Sequence, residues 1–379
     1  MKVLQVLPAL NSGGVERGTV EFARELVRQG HESWVLSNGG AMVAQLEEQG
    51  SRHATLPVHR KSLWSLLQIR PVRQLLRELA PDVVHVRSRL PAWLVWLAWR
   101  KLPPARRPAL VSTFHGLYSV NRYSAIMARP PHVIAISEGV NQYIREHYRV
   151  DPARITVIPR GVDVERFSPA EPDRRWLRQL YASYPHFQGK RLILMPGRLS
   201  RWKGQETFLE VMRQLVQQVP DVHGVIVGGA EPDKQHYRTE LENKALSMGL
   251  APHVTLVGRR ADMVQFYRLA EMVCHLSSKP EPFGRVITEA LSTGCKVVGF
   301  ERGGAAEILS ACFPDGLVTE DDVPAVVARI VQLLKVPAVV QLPPQFHLRQ
   351  QVDATLKVYR QALAGQACQL VTGVREPQK

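Results

Sequence analysis

The stretch Glu281-Pro-Phe-Gly-Arg-Val-Ile-Thr-Glu289, continuing as Ala290-Leu-Ser-Thr-Gly294, sets two carboxylates eight residues apart across a loop that turns into a helix. Pro282 and Gly284 favour a tight turn, residues 285–293 read as helical, and Gly294 supplies a C-cap. Glu281 then precedes the helix and Glu289 falls about one turn inside it. The backbone N–H groups of Phe283, Gly284, Arg285 and Val286 lie at the helix N-terminus. Such a terminus attracts anions, because its first N–H groups lack partners and the helix dipole adds partial positive charge. The flanking carboxylates can accept hydrogen bonds from hydroxyls on either side of bound phosphates. A nucleotide sugar has that layout: sugar, diphosphate, ribose.

Outward from this stretch, short β-like runs alternate with helical patterns, as a parallel α/β sheet requires. Val3-Leu-Gln-Val-Leu7 is a strand, followed by a glycine turn and a helix to about Gln29. Further strands are expected at residues 32–36, 83–86, 109–113, 133–136 and 155–159. Residues 169–188, proline-bearing and then arginine-rich, read as a connector. A second series follows at residues 192–195, 224–227, 254–257, 272–276 and 296–300. The expected domains are residues 1–168 and 189–344. Beyond Pro343-Pro344 an amphipathic helix spans 345–364, and the last residues look frayed.

Ser12-Gly13-Gly14-Val-Glu-Arg17 opens the first helix, but the glycines miss the G-x-G-x-x-G spacing of a dinucleotide loop and no Walker lysine follows. Pro196-Gly-Arg198-Leu-Ser-Arg-Trp-Lys203-Gly204 ends the first strand of the second series, on the side where open parallel sheets bind ligands. Arg198 and Lys203 can both reach a diphosphate, one as a forked guanidinium and the other as a point charge. His115 closes another strand in Phe114-His-Gly116, and His85 closes one with a weaker claim to a site.

The chain has 379 residues, 45% hydrophobic, with 26 Gly and 27 Pro, which suits two globular α/β domains and argues against disorder. Its 49 Lys+Arg against 34 Asp+Glu give +15, favouring anionic partners without choosing among them. The four cysteines (Cys274, Cys295, Cys312, Cys368) show no metal-ligand spacing, and a reduced compartment is expected. A strand begins at the first residues, so no signal peptide is expected; no apolar run is long enough to span a membrane. No nucleic-acid-binding pattern appears, so nucleic acid is not expected as a partner.

The Glu281-x7-Glu289 stretch resembles the motif of retaining glycosyltransferases with the two-domain GT-B fold, specifically the large family-4 group. The resemblance runs from Gly13 to Glu307 with the motifs in family order. It implies two Rossmann-like, doubly wound domains facing across a cleft, the first for the acceptor and the second for the nucleotide sugar, with a C-terminal helix crossing back to the first. Residue by residue, it implies that Glu281 faces the donor sugar and Glu289 holds the ribose. Gly13 and Gly14 would sit beside the donor phosphates, and Arg198 and Lys203 would clamp them. His115 would contact the sugar near its reacting carbon. Arg259, in Val257-Gly-Arg259, falls where relatives pack a loop against the base, and Glu307 in Gly303-Gly-Ala-Ala-Glu307 reads as support. Two departures stand out: Arg160-Gly-Val-Asp163 replaces the frequent Asn-Gly-x-Asp, and no Asp-x-Asp follows a strand, so no metal is expected at the diphosphate.

Residues 90–102 carry Trp93, Trp96 and Trp99 followed by Arg100 and Lys101, and residues 63–79 combine Trp64, Leu66 and Leu67 with Arg70, Arg73 and Arg77. Tryptophan with adjacent cations suits an anionic membrane interface, although both segments also read as ordinary helices of the first domain. The expectation is therefore a cytoplasmic enzyme attached peripherally to the inner membrane. It would need no cofactor and would move a hexose or N-acetylhexosamine from a UDP-sugar to a glycolipid, as in lipopolysaccharide core assembly. A soluble acceptor, or an epimerase or hydrolase of the same fold, are the alternatives.

Overall fold

Apolar runs of four to six residues, recurring between amphipathic segments, build two all-parallel sheets. The structure is a computed structural model that describes residues 1–11, 13–60, 62–231, 235–337 and 340–372, apart from the side chains of Leu63 and residues 367–372. The chain divides into two compact units: Met1–Gly161 with the C-terminal segment from Leu348, and Val162–His347.

In the first unit the order is β1 (Lys2–Val6), α1 (Gly14–Arg28), β2 (Glu32–Ser37), α2 (Val43–Glu48), β3 (Arg52–Thr55), α3 (Ile69–Leu79), β4 (Val83–Val86), α4 (Arg89–Trp99), β5 (Ala109–Phe114), β6 (His132–Ala135), α5 (Glu138–Tyr148) and β7 (Ile155–Val157). The strands lie in the order β3-β2-β1-β4-β5-β6-β7. Crossover helices cover both faces of such a sheet, so β4 and β5 are buried along their whole length. The sequence reading passes over β3, whose four residues include an arginine and a histidine and are nowhere fully buried; an edge strand has too little apolar pattern to announce itself.

The second unit runs α6 (Arg174–Ser183), β8 (Arg191–Pro196), α7 (Gln205–Gln218), β9 (Val222–Val227), α8 (Gln235–Ser247), β10 (Val254–Gly258), α9 (Met263–Leu269), β11 (Met272–His275), α10 (Arg285–Ser292), β12 (Lys296–Phe300), α11 (Gly303–Cys312), β13 (Leu317–Val318) and α12 (Val323–Lys335). Its strand order is β10-β9-β8-β11-β12-β13. Asp173 caps α6 through the Trp176 N–H, and the Trp176 ring packs edge-on against Phe266 of α9. Cys274, Cys295 and Cys312 are free and buried, with burial pushing the thiols of Cys274 and Cys312 up to about 12. Cys368 lies outside the described side chains.

The last helix, α13 (Leu348–Thr372), closes the core of the first unit. Leu348, Val352, Leu356, Tyr359 and Ala362 recur at helical spacing and pack with Val3, Phe22, Leu26, Val83 and Val111. At about 1.5–3 kcal/mol per large buried side chain, that face contributes on the order of 10 kcal/mol before the entropy of ordering. The helix runs eight residues further than the sequence pattern suggested.

Each sheet reverses its strand order once, between β1 and β4 and between β8 and β11. Loops leaving adjacent strands diverge at such a point and leave a crevice at the strands' carboxyl ends. Gly13 and Gly14 follow β1, Arg198 and Lys203 follow β8, and Glu281 follows β11.

Candidate functional site

In the second unit, the loop after β8 meets the loop after β11. The Ser278 N–H donates to the Trp202 carbonyl at 2.8 Å. Gly204 starts α7 at φ 86°, and a Cβ there would stand 1.9 Å from the Leu276 carbonyl oxygen, so only glycine lets the two backbones touch. That contact delivers Lys203 to Glu281. Its Nζ lies 2.6 Å from Glu281 Oε1. The same oxygen accepts from Ser277 Oγ at 2.5 Å, and His275 Nε2 stands 2.9 Å away, off the line of a hydrogen bond. Burial alone would raise the Glu281 pKa; the His275 ring and the Lys203 ammonium outweigh it and hold the carboxyl well below its usual range.

The loop carrying Glu281 is pinned from the opposite side. Gly304 N–H donates to the Glu281 carbonyl at 2.8 Å, and a side chain at Gly304 would collide with Phe283 backbone. Arg302 Nη1 donates to the Ser277 carbonyl at 2.9 Å. Helix α10 then begins at Arg285, with Gly284 as an N-cap that offers no side-chain bond to the first turn. Inside the helix, Glu289 is buried. Its Oε1 accepts from Arg285 Nε and Nη2 at 3.2 and 3.1 Å, and Tyr267 OH lies 3.3 Å from its Oε2.

Arg198 is half exposed and pairs with Glu231, while its carbonyl accepts from Gln205 Nε2 at 3.1 Å. Arg259 is exposed beside Gly229. Neighbouring Asp262 is bound by Arg260 and by the Trp176 indole, and so ties α6 to the turn before α9. Lys203, Glu281, Phe283, Gly284, Arg285, Val286 and Glu289 thus form one cluster, with Arg198 and Arg259 on loops at the same sheet end.

In the first unit, Gly13 and Gly14 open α1, and Arg160 donates to the Gly14 carbonyl. A side chain at Gly13 would collide with the Glu16 carboxylate. His115 follows β5. Both of its ring nitrogens are shielded and make no hydrogen bond among the described residues. Burial first, then the charges of Arg160 and Arg87, press its pKa well below the ordinary histidine value, so the ring is neutral at pH 7. His85 is a core residue: Nδ1 meets Tyr359 OH at 2.7 Å and Nε2 meets Thr113 Oγ1 at 2.6 Å.

The tryptophans of α4 are half-buried. Trp93 Nε1 donates to the Tyr123 carbonyl and Trp99 Nε1 to the Pro108 carbonyl, while the Trp96 and Trp99 rings stack. This segment packs inside its own unit, and an exposed apolar group lies instead at Trp64, Leu66 and Leu67, just before the basic helix α3. Among the described residues no helix is long and apolar enough to cross a membrane, and no group of three or more His, Cys, Asp or Glu side chains could hold a metal ion.

Sequence reasoning missed His275, Ser277 and Arg302, which surround Glu281. A signal was present for the first two: a histidine and a serine closing an otherwise apolar strand at its carboxyl end.

Two family models match the chain: Glycosyltransferase Family 4 over residues 12–166 and Glycosyl transferases group 1 over residues 179–346. Among curated proteins, the chain is 24% identical to the spore coat protein SA of Bacillus subtilis over 60% of its own length and 62% of that protein. It is 31% identical to the mannosylfructose-phosphate synthase of Agrobacterium fabrum over 50% and 42%. It thus spans less than two thirds of either relative. The phosphatidyl-myo-inositol mannosyltransferase of Mycolicibacterium smegmatis matches more fully, 27% identical over 85% of this chain and 81% of that one. Of solved structures, a glycosyltransferase from Rickettsia africae superposes with a TM-score of 0.83 at 27% identity, covering 96% of this chain and 98% of that one. Anabaena HepE in complex with UDP and glucose gives 0.74 at 22% identity over 98% and 99%. WaaG, a glycosyltransferase involved in lipopolysaccharide biosynthesis, gives 0.63 at 17% over 96% and 94%. At those identities the last two are similar in fold.

Proposed function

Since the chain belongs to the family-4-type glycosyltransferases of the GT-B fold, we propose that it transfers a hexose or N-acetylhexosamine from a UDP-sugar to a glycolipid hydroxyl, with retention at the anomeric carbon. The observation that carries this reading is the ionised Glu281 carboxylate, gripped by Lys203 and Ser277 beside the uncapped N-terminus of α10.

In this reading the donor diphosphate takes the place of Glu281 as a partner of Lys203, and Arg198 and the α10 N–H groups share its charge. Glu281, still held by Ser277, then turns its free capacity to the sugar hydroxyls. Glu289 accepts from the ribose, with Arg285 fixing its orientation. The anomeric carbon–oxygen bond breaks as the acceptor oxygen bonds to the same face, and the acceptor proton passes to the departing phosphate oxygen. Preorganised cations lower the barrier by stabilising the charge that gathers on that oxygen. The neutral His115 of the first unit supplies an uncharged hydrogen-bonding group to the donor sugar.

A glycolipid acceptor of the lipopolysaccharide-core type is supported by the +15 charge and by the exposed Trp64, Leu66 and Leu67 ahead of Arg70, Arg73 and Arg77. This patch replaces the tryptophans of α4 as the proposed site of peripheral attachment to a cytoplasmic membrane face. The test is binding. UDP and UDP-sugars should raise the melting temperature selectively over GDP, ADP and CMP, and Lys203→Ala should weaken UDP by about tenfold or more. Equal shifts for all nucleotides would remove the UDP assignment, and no shift for any would remove the donor site. Separately, the wild type should sediment with anionic liposomes, and Trp64→Ser with Leu67→Ser should not.

A further inference from the structure

Arg87 follows β4 at the carboxyl end of the first sheet, where its N–H bonds the Val6 carbonyl of β1 at 3.0 Å. Its side chain is only 3% exposed. The guanidinium lies over the Phe22 ring at 5.1 Å, yet it makes no hydrogen bond or ion pair among the described residues, and Nε is buried without an acceptor. A ring satisfies one face of a guanidinium; the donors lie in its plane and need acceptors. Burial lowers its pKa only to about 10, so Arg87 stays charged at pH 7. An unpaired buried cation is costly unless something of opposite charge completes it.

Other features of the surroundings point the same way. His115, with two unsatisfied ring nitrogens, lies within electrostatic reach of both Arg87 and Arg160. Arg160 is itself 8% exposed and anchors the loop into α1 through the Gly14 carbonyl. Two guanidiniums and a neutral imidazole suit a doubly charged oxyanion, since forked donors match phosphate oxygens in pairs. The donor's diphosphate has its own cations in the second unit, Lys203 and Arg198.

We propose that Arg87, supported by Arg160 and His115, binds a phosphate group carried by the acceptor. This rests on the transferase reading above and gives the acceptor its chemical class: a phosphorylated glycan or glycolipid. Arg87 selects the acceptor, and the transferred sugar goes to a hydroxyl near that phosphate.

The full chain is titrated with inorganic phosphate under saturating UDP, against chloride at equal ionic strength, and its melting temperature is followed. Phosphate should stabilise the wild type, and its apparent affinity should fall by about tenfold or more in Arg87→Met. Arg87→Lys, which keeps the charge but not the fork, should weaken it less. An equal phosphate effect in the wild type and Arg87→Met overturns the proposal. So does an effect that disappears when UDP is present, because phosphate would then be reading the donor site. If both variants melt well below the wild type in phosphate-free buffer, Arg87 is a structural residue and the proposal fails. A second arm compares a glycolipid acceptor before and after phosphatase treatment. Its KM should rise about tenfold on dephosphorylation in the wild type and stay unchanged in Arg87→Met; equal KM values in the wild type assign the site to free phosphate and overturn the acceptor role. Failure of the transferase reading has a different signature: UDP itself gives no shift, while the phosphate titration without UDP still reports on Arg87.

Discussion

The two sheets share one strand order at their centres, yet their switch points are finished with opposite electrostatics. In the second unit the charges are matched by neighbours: Glu281 with Lys203, Glu289 with Arg285, Arg198 with Glu231. In the first, Arg87 is buried and His115 half-buried, and both carry shielded polar atoms that nothing in the described structure satisfies. A matched site can rest without ligand and exchange one partner for another when a charged ligand arrives. An unmatched site is stable only at a cost that a ligand removes. The same topology thus carries a cluster of internal ion pairs at one switch point and buried, unsatisfied donors at the other.

Gly204→Ala forces a side chain against the Leu276 carbonyl at a positive φ, and should cost about 3–4 kcal/mol in urea unfolding. A loss under about 1 kcal/mol would show that the two loops are not locked together. Glu281→Gln keeps the shape but removes the charge that Lys203 balances; sugar transfer should fall by about a hundredfold or more, with UDP affinity retained. Retained turnover would place the sugar contact elsewhere.

A pH experiment sharpens the contrast between buried histidines and paired carboxylates. Burial, aided by His186 and His253, lowers the His223 pKa from 6.5 to about 4, so the folded state binds fewer protons than the unfolded state between those values. Stability should therefore be unaffected by this group above pH 6.5 and fall as pH drops towards 4, by about 2 kcal/mol at pH 5. His85 and His115 shift the same way and steepen the loss. His223→Gln should recover its share in urea titrations at pH 7.5 and 5. The smallest effect is Tyr359→Phe, which deletes the bond from α13 to His85 and should cost about 1 kcal/mol, leaving UDP binding untouched.

Much of this was legible in the sequence, for reasons that differ by residue. The buried parallel strands announce themselves as apolar runs, whereas β3 is too polar and the two-residue β13, Leu317-Val318, too short to do so. The Glu281 loop and Lys203 were readable because glycine, proline and charge fall at fixed offsets after strands. His275 and Ser277 carry a signal as polar residues at the end of an apolar strand, but their convergence on Glu281 comes from the alignment of that strand end, not from spacing. Gly303-Gly304 was visible only as a motif; its work is to let α11 approach the Glu281–Phe283 backbone. Arg87 carried no local signal. Burial of a charge is a tertiary fact, and His85, two residues earlier on β4, belongs to the core.

The most direct test is UDP release from a panel of UDP-sugars in the presence and absence of a glycolipid extract, with the wild type and Glu281→Gln. The account predicts release that depends on one UDP-sugar and on the lipid together, with a new sugar on the lipid, and a collapse of both in the variant. Release at the same rate without lipid, or unchanged in Glu281→Gln, would contradict it.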